Sequence, residues 1–402
     1  MTGPNPPFRR DARSYLATLG HASGLESAGG HTESALKAAA DLASSGARQK
    51  RLDRLERSFA KADRGGTADP ATMRARASVM RQAEDALSKL GRAPGDVELT
   101  ADDYVGLEAV VRPTERPSLL VHRGDVEIDL TDPDLGPWQG VMVLARDQIK
   151  ATIASVGRID LGSAHVGTGF VVAPGVVMTN RHVLQEIAVE SPAGGGKTKW
   201  TLISSPTIDF LREYDTEATA EFAITDVVFA GPTRILSHSM DIGKLDLALL
   251  AVETTNEAGH PLPKPLPIRK SSASSTASGE LFMVGYPARP QTVTPGGTGE
   301  HDVADILRRV FNMKYGFKRL ALGTISLPLG KVTGDLKGWV MGHDATTLGG
   351  NSGSCVAAVN DGGPILGLHF GGYEFDYNLA HVLPAVPDLR ADPVTGLGLT
   401  WK

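Results

Sequence analysis

Gly349-Gly350-Asn351-Ser352-Gly353-Ser354-Cys355 is a glycine-rich turn that presents one serine hydroxyl. A serine is a weak nucleophile near neutral pH. It needs an adjacent base, and the base needs a third group that fixes its tautomer. Candidates for both lie upstream. Gly167-Thr168-Gly169-Phe170-Val171-Val172 leads into Met178-Thr179-Asn180-Arg181-His182-Val183, and Leu245-Asp246-Leu247-Ala248-Leu249-Leu250 falls between the histidine and the serine. Each residue also has a bland reading. Ser352 could be a turn serine capped by its own backbone, His182 a packed histidine after a strand, and Asp246 a strand-end residue. Asp241 is a rival to Asp246. The apolar run Leu247 to Val252 favours Asp246, because a strand starting there would hold the carboxylate at a barrel rim.

Outward from these segments, short apolar runs alternate with turn-rich loops, the pattern of an antiparallel barrel or sandwich. Strands are expected near 156–161, 167–173, 175–179, 199–204, 222–229 and 246–252. A second set is expected near 281–286, 319–327, 338–342, 354–359, 364–370 and 377–382. Two sets of six imply two packed six-stranded antiparallel β-barrels, with His182 and Asp246 on the first and Ser352 on the second. The fold class is therefore mostly β, preceded by an α-helical N-terminal region. Asp302 to Met313 reads as a short helix or surface loop.

At the three quoted segments the chain resembles the trypsin/chymotrypsin-like serine peptidases, over roughly residues 150–385. The likeness is greatest to the bacterial branch that includes the glutamyl endopeptidases. There TN-x-HV carries the histidine, D-x-ALL the aspartate and GGNSGS the serine. The order His, Asp, Ser separates this family from α/β-hydrolases and subtilisins. The resemblance implies that Ser352 attacks a peptide carbonyl, that His182 takes its proton and that Asp246 orients His182. It also implies an oxyanion hole from the backbone N–H groups of Gly350 and Ser352. Asn351 stands where animal members carry an aspartate that pairs with a newly cut N-terminus, an ion pair that asparagine cannot make. The hole is thus either ready-made or ordered by a partner acting on the helical region. For the residue cleaved after, P1, the position six before the serine is Thr346 and not an aspartate. Leu368-His369-Phe370-Gly371-Gly372 resembles the glutamyl endopeptidase pattern, so Thr347, His369, Gly371 and Gly372 would bind an acidic P1 side chain. A buried strand role for His369, and a basic P1 held by Asp376, are the alternatives. A catalytically inactive scaffold of this fold and an esterase on it are the rival functions.

Ahead of the barrels, residues 1–30 are Pro/Gly/Ser/His-rich without periodicity and are expected to be disordered. Residues 31–92 are expected to form a helical accessory region. Leu36, Ala39, Ala40, Ala43, Leu52, Leu55 and Phe59 recur at helical spacing, and Asp69-Pro70 caps a second helix with Met73, Ala77, Met80, Ala83, Leu87 and Leu90 on one face. Such stripes require a packing partner, which makes a protein partner for this region plausible. Residues 93–137 read as a connector with short extended pieces such as Ser118 to Val121. The peptidase domain is placed at 138–390, opening on a helix from Trp138 to Ile153.

Composition narrows the function classes. A chain of 402 residues with 41% hydrophobic content has ample material for two domains, and 46 glycines suit a turn-rich β architecture. A net charge of −5 gives no general attraction to nucleic acid or anionic membrane. The basic run from Arg48 to Arg64 is diluted by Asp53, Glu56 and Asp63 and reads as a solvated helix face. Gly194-Gly195-Gly196-Lys197-Thr198 fails as a phosphate loop, since position 191 is serine. His301-Asp302 and His343-Asp344 lack a second ligand pair, so no metal and no cofactor are expected. The lone Cys355 forms no intrachain disulfide, and Met1 to Arg13 lacks an apolar core like that of a signal peptide. With no apolar run of spanning length, a cytoplasmic protein acting on a protein or peptide substrate is expected. The Ala/Gly/Arg-rich usage points to a bacterium.

Overall fold

The computed structural model describes residues 12, 15, 16, 19, 38–62, 69–92, 97–111, 116–126, 135, 136, 138–192, 198–236, 241–288, 314–347, 350–359, 363–372 and 377–402. The expected helix at 302–313, the glycine loop at 194–197, Gly349 and Asp376 lie outside these residues.

Residues 38–43 are helical, followed by α1 (Ser45–Ala62), α2 (Pro70–Arg92) and α3 (Ala101–Val110). Local chemistry sets their starts. Asp69 Oδ1 accepts from the N–H groups of Ala71 and Thr72 at 2.8 and 3.0 Å, ahead of Pro70. Thr100 and Asp103 close a capping box on α3. Leu42, Leu55, Ala83, Leu87, Leu90, Leu107 and Val110 form a core made solely of residues from this region. Each fully buried Leu there is worth roughly 1.5–3 kcal/mol. Ala12, Tyr15, Leu16 and Leu19 correct the expectation of disorder across 1–30. These four are helical and buried in that core, and the Tyr15 hydroxyl donates to Glu108 Oε1 at 2.6 Å. Their apolar cluster supplies the burial that the surrounding polar composition hides.

β1 (Ser118–His122) and β2 (Asp125–Val126) form a hairpin, then α4 (Trp138–Leu144) and α5 (Arg146–Ser155) follow, split at Ala145 where the sequence suggested one helix. The first closed barrel comprises β3 (Val156–Leu161), β4 (Ala164–Ala173), β5 (Val176–Thr179), β8 (Thr207–Asp209), β9 (Glu221–Ala230) and β10 (Ala248–Val252). The stretch expected at 199–204 is not one of its strands. It forms β7 (Thr198–Leu202), which pairs only with β6 (Ala188–Pro192) as a separate two-stranded sheet. The three-residue β8 takes the sixth place because Ile208 is fully buried, whereas Lys199, Trp200, Thr201 and Leu202 are exposed or half-buried.

The second barrel comprises β11 (Glu280–Gly285), β12 (Arg319–Leu327), β13 (Val340–His343), β14 (Cys355–Ala358), β15 (Ile365–Gly372) and β16 (Asn378–Val382), closed by the pairing of β11 with β12. Side chains alternate along every strand, and here both faces are buried. Leu281 and Met283 enter the second barrel's own core, while Phe282 and Val284 face a shared core. In β4, Val171 fills the first barrel while Phe170 and Val172 face the shared core. That shared layer glues the barrels together and also buries Trp138, Ile149 and Ile153 of the preceding helices.

The β1–β2 hairpin straps both barrels. Leu119 pairs with Leu320 on β12, while the Val121 carbonyl accepts from Tyr214 N–H at 3.2 Å and Glu213 Oε2 accepts from Gly124 N–H at 2.8 Å. Lys318 adds a buried cross-tie, donating to the Ile153 and Phe210 carbonyls at 2.7 and 2.6 Å. Burial pushes its ammonium down to about 8.

Candidate active site

β5 ends at Thr179, and Asn180 turns the chain into α6 (Arg181–Ile187), which carries His182 in its first turn. Asp246 lies two residues before β10. Its carboxylate grips His182 twice: Oδ1 accepts the backbone N–H at 2.9 Å, and Oδ2 lies 2.6 Å from Nδ1. The carboxylate is 5% exposed and the imidazole 28%. With Nδ1–H donating to the carboxylate, Nε2 is left as the accepting nitrogen. Asp246 is itself fixed on both sides of its peptide. Its carbonyl accepts from Asn180 Nδ2 at 2.8 Å and its N–H donates to His381 Nε2 at 3.0 Å. Asp241 instead meets Lys244 at 3.1 Å in an exposed pair.

The serine turn is built against this rim. The Ser352 carbonyl accepts from Thr168 N–H at 2.8 Å, and Thr168 Oγ1 donates to the Gly350 carbonyl at 2.8 Å. Thr179 Oγ1 secures the Thr168 carbonyl at 2.7 Å. Gly350 and Gly353 take φ of +86° and +89°, a region costly for residues with a Cβ. A Cβ at Gly353 would lie 1.9 Å from the Thr168 carbonyl oxygen. The histidine helix and the serine turn meet across Gly167, where a Cβ would lie 2.7 Å from Val183 Cγ2 and 3.3 Å from the Ser352 carbonyl oxygen. The first barrel therefore clamps the turn through backbone and hydroxyl hydrogen bonds. Thr168, Thr179 and Asn180 were quoted in the sequence only as motif neighbours.

Of the four expected P1 residues, His369 touches this turn. His369 on β15 accepts Gly353 N–H at its carbonyl, 3.0 Å away. Gly371 and Gly372 end the same strand opposite Leu379 and Asn378. The Thr347 hydroxyl donates to Asn378 Oδ1, and Asn378 Nδ2 donates to the Ala345 carbonyl at 2.8 Å. His369 is buried, its Nδ1 3.2 Å from His343 Nε2. Phe370 stacks on His381 at 4.4 Å between ring centroids. His381 and Asn378 escaped the sequence reading, and His343 entered it only as a candidate metal ligand, because each acts through a residue distant in the chain. Cys355 sits in the shared core, and burial pushes its thiol up to about 12. Among the described residues no group of three or more His, Cys, Asp or Glu side chains is placed to hold a metal ion. No helix among them is long and apolar enough to cross a membrane.

The buried imidazoles set an acid limit. Burial holds His165, His343 and His381 down to about 4. Burial first, then the neighbouring His343 and His182, pushes His369 well below its ordinary value. The unfolded chain protonates these rings near 6.5 while the fold does not, so stability is full above that value and falls as pH drops toward 4. Denaturation midpoints measured at pH 7, 5.5 and 4.5 are expected to decline, the unfolding free energy they report falling by up to about 1.4 kcal/mol per ring for each pH unit below the unfolded value. Midpoints flat across this window would contradict neutral buried rings.

The chain is similar in sequence to known proteins. Residues 167–368 match the family described as "Trypsin-like peptidase domain". The chain is 33% identical over 316 residues to a probable serine protease of Lysobacter enzymogenes, covering 74% of this chain and 77% of that protein. Similar solved structures include the active form of the Rv3671c protease from M. tuberculosis, 20% identical with a TM-score of 0.35 over 64% of this chain and 87% of that one. They also include neuropsin from mouse brain, 14% identical with a TM-score of 0.36 over 58% of this chain and 91% of that one.

Proposed function

The chain belongs to the trypsin-like serine peptidase family, and on that premise we propose that it is a serine endopeptidase working through an acyl-enzyme. The observation that carries this reading is the double grip of Asp246 on His182, at 2.9 and 2.6 Å. Ser352 Oγ attacks the scissile carbonyl. His182 Nε2 takes its proton and returns it to the leaving amine, and Asp246 stabilises the imidazolium formed meanwhile. The N–H groups of Gly350 and Ser352 hold the oxyanion; such a donor is worth about 3–4 kcal/mol of transition-state stabilisation. The Thr168 bond to the Gly350 carbonyl supports a ready-made turn.

The specificity side is read as acidic. Thr347 and His369 are assigned to a P1 carboxylate, the Thr347 hydroxyl exchanging its bond to Asn378 Oδ1 for one to the substrate, and Gly371 and Gly372 are assigned to the substrate backbone. Burial keeps His369 neutral, so it acts as an N–H donor and not as a cation. Hydrogen bonds to a charged acceptor contribute about 1.5–3 kcal/mol, which corresponds to roughly 10- to 100-fold in selectivity. The lone cysteine, which has no partner in the sequence for an intrachain disulfide, supports a cytoplasmic protein, and the Ala/Gly/Arg-rich usage supports a bacterial one. The helical region, with its own core, is assigned a recruiting or regulatory role through a protein partner.

A library of peptides blocked at both ends and varied at P1 tests the whole reading. Internal cleavage after Glu is expected to exceed cleavage after Lys by about tenfold or more. Clear preference for Lys or Arg, lost in Asp376→Ala, would overturn the acidic assignment. Ester hydrolysis without peptide cleavage would point to an esterase, and neither activity to an inactive scaffold.

A further inference from the structure

Arg116 joins the helical region to the wall of the site. Its side chain is 3% exposed, and Nη2 donates to Asp344 Oδ2 at 2.6 Å, a carboxylate 5% exposed. The same nitrogen lies 3.2 Å from Thr324 Oγ1, while Thr324 N–H and Oγ1 donate to Asp344 at 2.6 and 2.9 Å. The Arg116 backbone is held from both directions. Its carbonyl accepts from Thr346 Oγ1 at 2.7 Å, and its N–H donates to the carbonyl of Val111, a buried member of the helical core, at 2.9 Å.

These partners are not scattered. Asp344 and Thr346 follow directly on β13 and lead through Thr347 to Gly350, the segment that bears the P1 wall and the oxyanion turn. Asn351 carries no charge, so this segment is anchored by the Arg116–Asp344 ion pair and not by one at the turn itself. A buried ion pair has two distinct states, because a half-broken pair leaves an uncompensated charge in the interior. Ser118, which follows Arg116 closely, is already registered on Ala321 of β12. Withdrawal of Arg116 therefore removes the contacts to Asp344 and Thr346 together, leaving Thr324 on Asp344 and Asn378 on Ala345 as the remaining ties of this segment.

We propose that Arg116 is a positioning residue for the nucleophile turn, and that its pairing with Asp344 transmits the docking state of the helical region to the active site. The proposal rests on the serine-peptidase reading above and deepens it by naming the regulatory link.

The test uses the full chain carrying Arg116→Gln, Arg116→Lys or the gentler Thr346→Val. Three properties are read: melting temperature, peptide turnover well below it, and hydrogen exchange of the amides at 344–352 against those of β11 and β14. Arg116→Gln is expected to lose about a hundredfold in kcat, as misplaced reacting groups do, with fluorophosphonate labelling slowed in parallel. Arg116→Lys, which keeps the charge, is expected to recover most of that loss. Thr346→Val, in case Arg116→Gln fails to fold, is expected to raise exchange at 344–352 while β11 and β14 stay protected. A variant of lowered melting temperature that turns over at the wild-type rate, with exchange raised evenly across the second barrel, would reduce Arg116 to a structural role and overturn the proposal. Wild-type protein inert toward every peptide and probe would instead remove the peptidase reading, and the exchange pattern would still decide whether Arg116 orders the turn.

Discussion

Ser352→Ala is expected to lower kcat toward blocked peptides by about a million-fold while leaving the melting temperature close to wild type. The magnitude follows from what the hydroxyl does. On the proposed mechanism, removing Oγ removes the attacking atom, and the acyl-enzyme route closes. The small structural effect follows from how the turn is held. Thr168 and His369 contact the backbone of residues 350–353, through Ser352 O, Gly350 O and Gly353 N–H, and the side chain of Ser352 takes no part in those bonds. Turnover and melting are measured on the same preparation. Activity within a hundredfold of wild type would show that another residue supplies the nucleophile.

Asp246→Asn is expected to lower kcat by about ten-thousand-fold at neutral pH, again with the fold retained. Both carboxylate oxygens now accept, one from the His182 backbone and one from its ring. An asparagine keeps one acceptor and brings an amide N–H₂ to the other place. If the amide oxygen stays on the backbone N–H, the N–H₂ faces Nδ1, and the ring must carry its proton on Nε2, where it could not take the proton that the proposed mechanism assigns to it. The His381 and Asn180 bonds to the Asp246 peptide are untouched by the change, so His182 stays in place with the wrong tautomer. Steady-state kinetics across pH 6 to 9 check this. A loss smaller than about tenfold would mean that the 2.6 Å contact organises the fold and not the chemistry.

The barrels and the site differ in how openly the sequence displays them. β11, β12 and β15 are legible because most of their residues on both faces are buried, giving predominantly apolar runs bounded by turns. β8 is hidden: three residues with one aliphatic side chain, Ile208, are too few for any periodicity to register. β7 misleads for the opposite reason. Its alternation is that of a half-exposed hairpin and carries no mark of which strand it pairs with. His182, Asp246 and Ser352 each stand in a short local motif, whereas their more distant supports do not. Arg116 and Asp344 are 228 residues apart, and His381 reaches Asp246 from the other barrel. Residue identity says nothing of such pairings. Only the closure of both barrels brings them together.

Stoichiometric labelling with a fluorophosphonate, followed by mass mapping of the modified peptide, is the most direct measurement of whether Ser352 is an activated nucleophile. One adduct per chain, located on Ser352, abolished in Ser352→Ala and slowed steeply in His182→Ala, is the expected result. Absence of an adduct on folded protein, or an adduct that persists in Ser352→Ala, would contradict it.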